Sequence, residues 1–194
     1  MKLNLCACIL MFLLAGVLTS AAEENPRVLM TTTMGEMLIE LYPDKAPVSV
    51  ENFLQYVRDG FYDGVIFHRI VPDFVIQGGG FDSAGNRKET RDPIVNEAAN
   101  GLKNKKYTLS YARTPEINSA TSQFFINTVD NPALDHRGNT QDEFGYCVFG
   151  KVIEGRKTVD KIAKIKTGGP RGDSPTEVVV IVSASIAGDD DNQN

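Results

Sequence analysis

The chain has 194 residues, no tryptophan, two histidines, three cysteines and a formal charge of −5. That length suits one domain with a full core, and the acidic balance excludes a nucleic-acid binder that works by neutralising phosphates. So few histidines and cysteines argue against a multi-ligand metal centre, and 42% hydrophobic residues exclude the disordered and collagen-like classes.

The chain opens on a targeting pattern. Lys2 precedes an almost wholly apolar run, Leu3–Leu18, followed by Thr19-Ser20-Ala21-Ala22 and then by the polar Glu23-Glu24-Asn25-Pro26. A short apolar run that exits through small residues, without a positive stop-transfer cluster, predicts a cleaved secretory signal over residues 1–22. The domain is expected over residues 23–187, and an acidic, disordered tail over 188–194. Cleavage leaves Cys147 as the one cysteine, so no internal disulfide is expected. Its apolar surroundings, Tyr146-Cys147-Val148-Phe149, predict a buried small hydrophobe.

Arg27–Thr33 and Glu36–Tyr42 read as strands, with Met37, Ile39 and Leu41 alternating against more polar neighbours. Pro47 opens a helix whose Val50, Phe53, Leu54 and Val57 share one face, and Gly60 ends it. Val65–Val71 and Phe74–Gln77 are strand-like, and Gly78-Gly79-Gly80 is expected to end regular structure before a polar loop over residues 82–96. Tyr107–Ala112, Gln123–Val129 and Gly145–Val152 are further strands. A short helix over Thr158–Ile165, a Gly/Pro loop and a last strand, Glu177–Ile186, complete the domain. About eight strands with turn signals and two helices favour a mainly β fold, a closed barrel.

Several motifs have plain readings. The triple glycine lacks the spacing and the following helix of a phosphate loop. Arg171-Gly172-Asp173 is a tripeptide used by adhesion ligands and reads as an exposed turn. His68 has no visible nucleophile to serve as base for, and reads as structural. The stretch Phe67–Phe81, FHRIVPDFVIQGGGF, is more informative, because it sets a permanent cation, a phenyl ring and an amide within strand-turn-strand. In Ser119–Asn127, SATSQFFIN, Gln123 and Phe125 share one strand face while Phe124 points to the other. Barrel packing accounts for the phenylalanines. It does not account for Arg69, Gln77 and Gln123, which cost desolvation on apolar strands unless used.

These stretches resemble the cyclophilin family of peptidyl-prolyl cis–trans isomerases. The likeness extends to Phe61-Tyr62-Asp63-Gly64, Asn96-Glu97, Gly101-Leu102, Leu109–Arg113, Leu134-Asp135 and Val148–Val152, in family order from about Arg27 to Ile186. It implies a closed eight-stranded antiparallel barrel capped by two α-helices, with the site on its outer face. It also implies X–Pro isomerisation without metal or cofactor, and proline-containing peptide segments as partners. Arg69 matches the catalytic arginine, and Gln77 matches the glutamine that orients it. Phe74, Val75, Phe125 and Leu134 match the hydrophobic floor for the proline ring. Ala112, Arg113 and Gln123 match positions that bind the residues before proline, and Tyr146 matches a pocket position often held by histidine.

Two departures concern the rim. Ala133 stands where many members carry tryptophan, and Tyr146 stands for histidine, which together imply weak cyclosporin sensitivity. With the signal and Phe144-Gly145-Tyr146, the chain is similar to exported bacterial members, which implies a monomer in the periplasm, with full secretion as the alternative. Two other readings stay open: a module that captures proline peptides without turnover, and an adhesion protein using Arg171–Asp173.

Overall fold

The computed structural model describes residues 24–188, so the expected signal and almost all of the expected tail lie outside the described residues. Eight strands form one antiparallel sheet: β1 (Arg27–Thr32), β2 (Gly35–Leu41), β3 (Val65–Val71), β4 (Val75–Asp82), β5 (Thr108–Tyr111), β6 (Phe124–Asn127), β7 (Val148–Glu154) and β10 (Ile181–Ile186). A two-residue ladder, β8 (Thr167–Gly168) with β9 (Ser174–Pro175), lies outside that sheet. The order is β10-β1-β2-β7-β5-β6-β4-β3. The end strands then meet: Phe67 N–H donates to Val179 O (3.0 Å) and Gly64 N–H to Ile181 O (2.9 Å). The sheet thereby wraps into a barrel with little free edge.

Alternation fills the interior. Met37, Ile39 and Leu41 of β2, Leu109 and Tyr111 of β5 and Phe124 and Ile126 of β6 are all buried in one core cluster. Two helices cover the mouths, α1 (Pro47–Arg58) after the end of β2 and α2 (Arg156–Ile162) beside its start. Phe53 of α1 plugs the first mouth, its ring 5.2 Å from Tyr62, 5.7 Å from Phe124 and 5.4 Å from Phe149. At α2, Val159 and Ile162 are fully buried.

Ala46 offers α1 no side-chain cap. The Glu97 carboxylate does so from a distant loop, accepting from Val48 N–H at 3.1 Å and Ser49 N–H at 2.8 Å. A carboxylate at a helix N-terminus satisfies orphan donors and opposes the dipole.

The triple glycine departs from expectation. Order does not end there, because β4 runs through Gly78-Gly79-Gly80 to Asp82. The glycines are instead required by close approach. Gly79 has φ +88°, and a Cβ on it would lie 2.6 Å from Ser122 O. A Cβ on Gly80 would meet the Gln123 side chain at 2.6 Å. Other boundaries shift modestly: α2 starts earlier than the apolar pattern suggests, and the last strand begins only at Ile181.

Candidate active site

β3 carries a bulge. Phe67 pairs with Gly78 and Arg69 with Gln77, so two steps on β3 oppose one on β4. Strict alternation from the buried Val65 and Phe67 would turn residue 69 into the core. The extra residue resets the phase, so that Ile70 is buried and Arg69 faces outward. Register then lines up an outer row: Arg69 opposes Gln77, Gln77 opposes Phe125, and Phe125 opposes Ser110.

Across this face a chain of polar contacts holds the arginine. Arg69 Nη1 donates to Gln77 Oε1 at 3.1 Å, and Gln77 Nε2 donates to Gln123 Oε1 at 3.0 Å. Arg69 Nε donates to Asp173 Oδ2 at 2.9 Å. Among the described residues Nη2 makes no hydrogen bond, and the side chain is 31% exposed. Burial resists ionisation of Asp173, but the Arg69 hydrogen bond and the Arg171 charge prevail and hold its carboxyl below the ordinary value.

Beside the guanidinium lies a cavity of about 220 Å³ lined by Arg69, Phe74, Val75, Gln77, Ala112, Arg113, Phe125, Leu134 and Tyr146. Phe125 and Val75 form its floor, both nearly inaccessible to solvent. The Tyr146 ring meets Phe125 edge to face at 5.6 Å. Nine of the ten residues singled out from the sequence thus line one cavity. The tenth, Gln123, lines the adjoining groove with Gln77, Ala112 and Arg113. Two larger grooves, of about 460 and 440 Å³, lie beside Lys106 and Lys151. Neither brings an arginine onto an apolar floor.

The model of cyclophilin type peptidyl-prolyl cis-trans isomerases matches residues 27–186. The chain belongs to that family. It is 51% identical over 168 residues to peptidyl-prolyl cis-trans isomerase A of Dickeya dadantii, covering 86% of this chain and 87% of the relative. It is 52% identical over 161 residues to the isomerase cyp18 of Streptomyces antibioticus, covering 82% and 97%. A crystal structure of a Cryptosporidium parvum cyclophilin in the presence of the dipeptide Ala-Pro superposes with TM-score 0.68 at 26% identity, covering 82% of this chain and 98% of that one. The protein is a peptidyl-prolyl cis–trans isomerase, and its barrel is the cyclophilin fold.

The cyclophilin scaffold uses residues that the sequence reading passed over. Asn131 Nδ2 donates to Phe74 O (2.9 Å) and to Asn127 Oδ1 (2.7 Å), tying the turn before β4 to the end of β6. Asn104 Nδ2 donates to Leu134 O at 3.0 Å, and Asp135 Oδ1 accepts from Asn104 N–H at 2.7 Å. These buried amides hold Phe74 and Leu134 against the cavity. An asparagine in a loop gives no local sign of that role, because most of its partners lie far along the chain.

Arg113 lines the cavity, but its guanidinium is largely engaged. Nε donates to Gly145 O (3.1 Å), Nη1 to Thr114 O and Pro115 O, and Nη2 to Gln141 O. It clamps two loops and stacks over Tyr146 at 4.9 Å, so the cleft meets chiefly its stem. His68 does not line the cavity. Burial, reinforced by the charges of Arg69 and Arg171, pushes its pKa down to about 4, and its ring packs on Phe81 at 4.7 Å. It is neutral at pH 7, as a structural histidine should be. Cys147 is buried beside Ser49, and burial pushes its thiol up to about 12. The exposed-turn expectation for Arg171-Gly172-Asp173 holds for Arg171, at 79% side-chain exposure, and fails for Asp173, at 13%. The Asp173 carboxylate is turned inward onto Arg69.

Proposed function

We propose that Arg69 catalyses X–Pro rotation in exported proteins by stabilising the twisted amide, with the proline ring seated on Phe125 and Val75. The observation that carries this reading is the free Nη2 edge of a fixed guanidinium beside an apolar cavity. Rotation about the X–Pro bond breaks amide conjugation, over a barrier near 18–20 kcal/mol. Uncatalysed it takes tens to hundreds of seconds. In the twisted state the nitrogen becomes pyramidal and basic, and the carbonyl loses resonance. Phe74, Leu134 and Tyr146 close the walls around the ring and exclude water, which favours the less polar twisted amide.

The guanidinium then donates to the nitrogen lone pair or holds the carbonyl, depending on approach. Either contact is stronger in the twisted state than in the planar one, so it lowers the barrier. No bond is made or broken. Gln77 holds the guanidinium at Nη1, and Gln123 with the Ala112 and Arg113 positions takes the residues before proline.

Arg69→Ala should reduce kcat/KM for an X–Pro peptide by about a hundredfold or more while leaving peptide binding within a few-fold. Unchanged turnover would reject the assignment. Loss of peptide binding in step with turnover would give Arg69 a binding role only, and a wild-type chain that binds without turnover would be a capture module.

The cellular context in this reading is folding assistance in the periplasm, by a monomer released from its signal. The apolar run Leu3–Leu18 with its small-residue exit supports it. Fractionation of cells expressing the full precursor tests it: a shortened chain in the periplasmic fraction is expected, and a full-length chain in the cytoplasm would overturn it.

A further inference from the structure

The two hydrogen bonds on Arg69 are unequal. Gln77 offers a neutral oxygen from the neighbouring strand, whereas Asp173 offers a full charge from 104 residues away in sequence. The second contact comes from the loop between β8 and β9. That loop is itself fixed on the barrel: Ile70 N–H donates to Asp173 O at 2.8 Å, directly beside Arg69. The β8–β9 ladder, with Thr167 opposite Pro175 and Gly168 opposite Ser174, closes the loop at its base.

From this geometry we infer that Asp173 is a positioning residue of the isomerase: its carboxylate grips Arg69 Nε and fixes which edge of the guanidinium meets the substrate. A guanidinium held only at Nη1 can swing about that contact, and an arginine side chain has several torsions to lose on ordering. Holding Nε as well defines the plane, because the donors form a rigid fork. Nη2 is then the edge left for the twisted amide. Charge-assisted hydrogen bonds are shorter and stronger than neutral ones, which suits a hold that must survive substrate exchange. Arg171 Nε approaches the other carboxylate oxygen at 3.4 Å from an exposed position, so it adds little geometry. The inward turn of Asp173 also accounts for its low exposure within an otherwise exposed tripeptide.

The inference rests on the role of Arg69 proposed above, and the test separates the two. Asp173→Ala should lower kcat/KM for an X–Pro peptide by about tenfold, chiefly through kcat, with KM within about twofold of wild type. Arg171→Ala should stay within about twofold of wild type in both. In the Arg69→Ala background, Asp173→Ala should produce no further loss, since the residue it positions is gone. The Arg69 Nε–H resonance gives a direct signature. It should exchange slowly with water in wild type and in Arg171→Ala, and rapidly in Asp173→Ala.

Two results overturn the inference: equal loss from Asp173→Ala in both backgrounds, which marks loop stapling alone, or an Nε–H resonance unaffected by the substitution. Asp173→Asn, nearly isosteric, covers the case in which alanine disturbs the loop. It should keep the fold by circular dichroism and give an intermediate loss, because its amide oxygen still accepts from Nε without the charge. If Arg69→Ala itself keeps full turnover, the catalytic reading fails, whatever the Nε–H resonance reports about the contact.

Discussion

Arg69 and Gln77 stand opposite each other across β3 and β4, and the guanidinium of one donates to the amide oxygen of the other at 3.1 Å. The pairing exists because a bulge between Phe67 and Arg69 shifts the phase of β3. The arginine is therefore presented on the outer face by a strand whose other face packs the core.

Gln77→Leu tests that support. The substitution keeps volume and removes the acceptor, leaving Nη1 without its partner and freeing Gln123 Oε1 from its donor. Loosening the guanidinium should lower kcat/KM by about tenfold or more, and because Arg69 stays partly solvated the loss of stability should stay below the roughly 1.5–3 kcal/mol of a hydrogen bond to a charged group. A coupled X–Pro peptide assay and urea unfolding read the two effects. A large loss of stability with normal turnover would show that Gln77 holds the sheet and not the arginine.

Gly79→Ala probes the glycine run inside β4. The new Cβ would lie 2.6 Å from Ser122 O in a φ +88° conformation, so strain and collision add, at a cost of about 2–4 kcal/mol. Gly85→Ala is the control. Its φ is +83° with nothing within 4 Å of the added Cβ, and backbone strain alone should cost about 1 kcal/mol. Denaturant midpoints compare them, and equal costs would contradict the close-approach explanation.

Stability should depend on pH through His68. Its folded pKa of about 4 lies below the ordinary value near 6.5, chiefly because burial disfavours the imidazolium. Between those values the unfolded chain binds the extra proton, so stability is full above about pH 6.5 and falls as pH drops toward 4. The loss has a ceiling of about 3 kcal/mol. His68→Phe should flatten the curve across that window. The decline below pH 4, where Asp82, Asp130 and Asp173 are held ionised in the native state, should remain. Urea titrations at half-unit intervals of pH would reveal either slope.

Cyclosporin should inhibit weakly. Ala133 is exposed on the single-turn helix Pro132–Leu134, and Tyr146 occupies the cavity wall. Neither provides an indole or an imidazole, the groups that the family resemblance implies at these two positions. Micromolar inhibition is expected in the peptide assay, and nanomolar inhibition would refute the reading. The pair Ala133→Trp and Tyr146→His should raise sensitivity by about tenfold or more.

Short-range pattern made much of this protein readable. The helical spacing of Val50, Phe53, Leu54 and Val57 predicted α1, and all four are buried on its inner face. The alternation in Gln123-Phe124-Phe125 predicted one ring for the core and one for the outer face, and Phe124 plugs the barrel while Phe125 floors the cavity. These features depend on a period of two or 3.6 residues, which local sequence displays. The triple glycine misled, because a glycine read locally is a breaker. What required it was the approach of Ser122 and Gln123, in the segment that leads into β6.

The sequence by itself determined the alternating core, the two helices and the residue types that the outer face would carry. Only the tertiary structure decided which way Arg69 points, and what holds it. The bulge has no signature in the run Phe67-His68-Arg69-Ile70, whose simple alternation would bury the arginine. Asp173 reads as part of an exposed turn until barrel closure brings its loop against β3. The first comes from the register of the β3–β4 hairpin, the second from contact between segments 104 residues apart. The register that satisfies backbone hydrogen bonds and buries Phe67 and Ile70 leaves the arginine outside, where a carboxylate from the far end of the domain meets it.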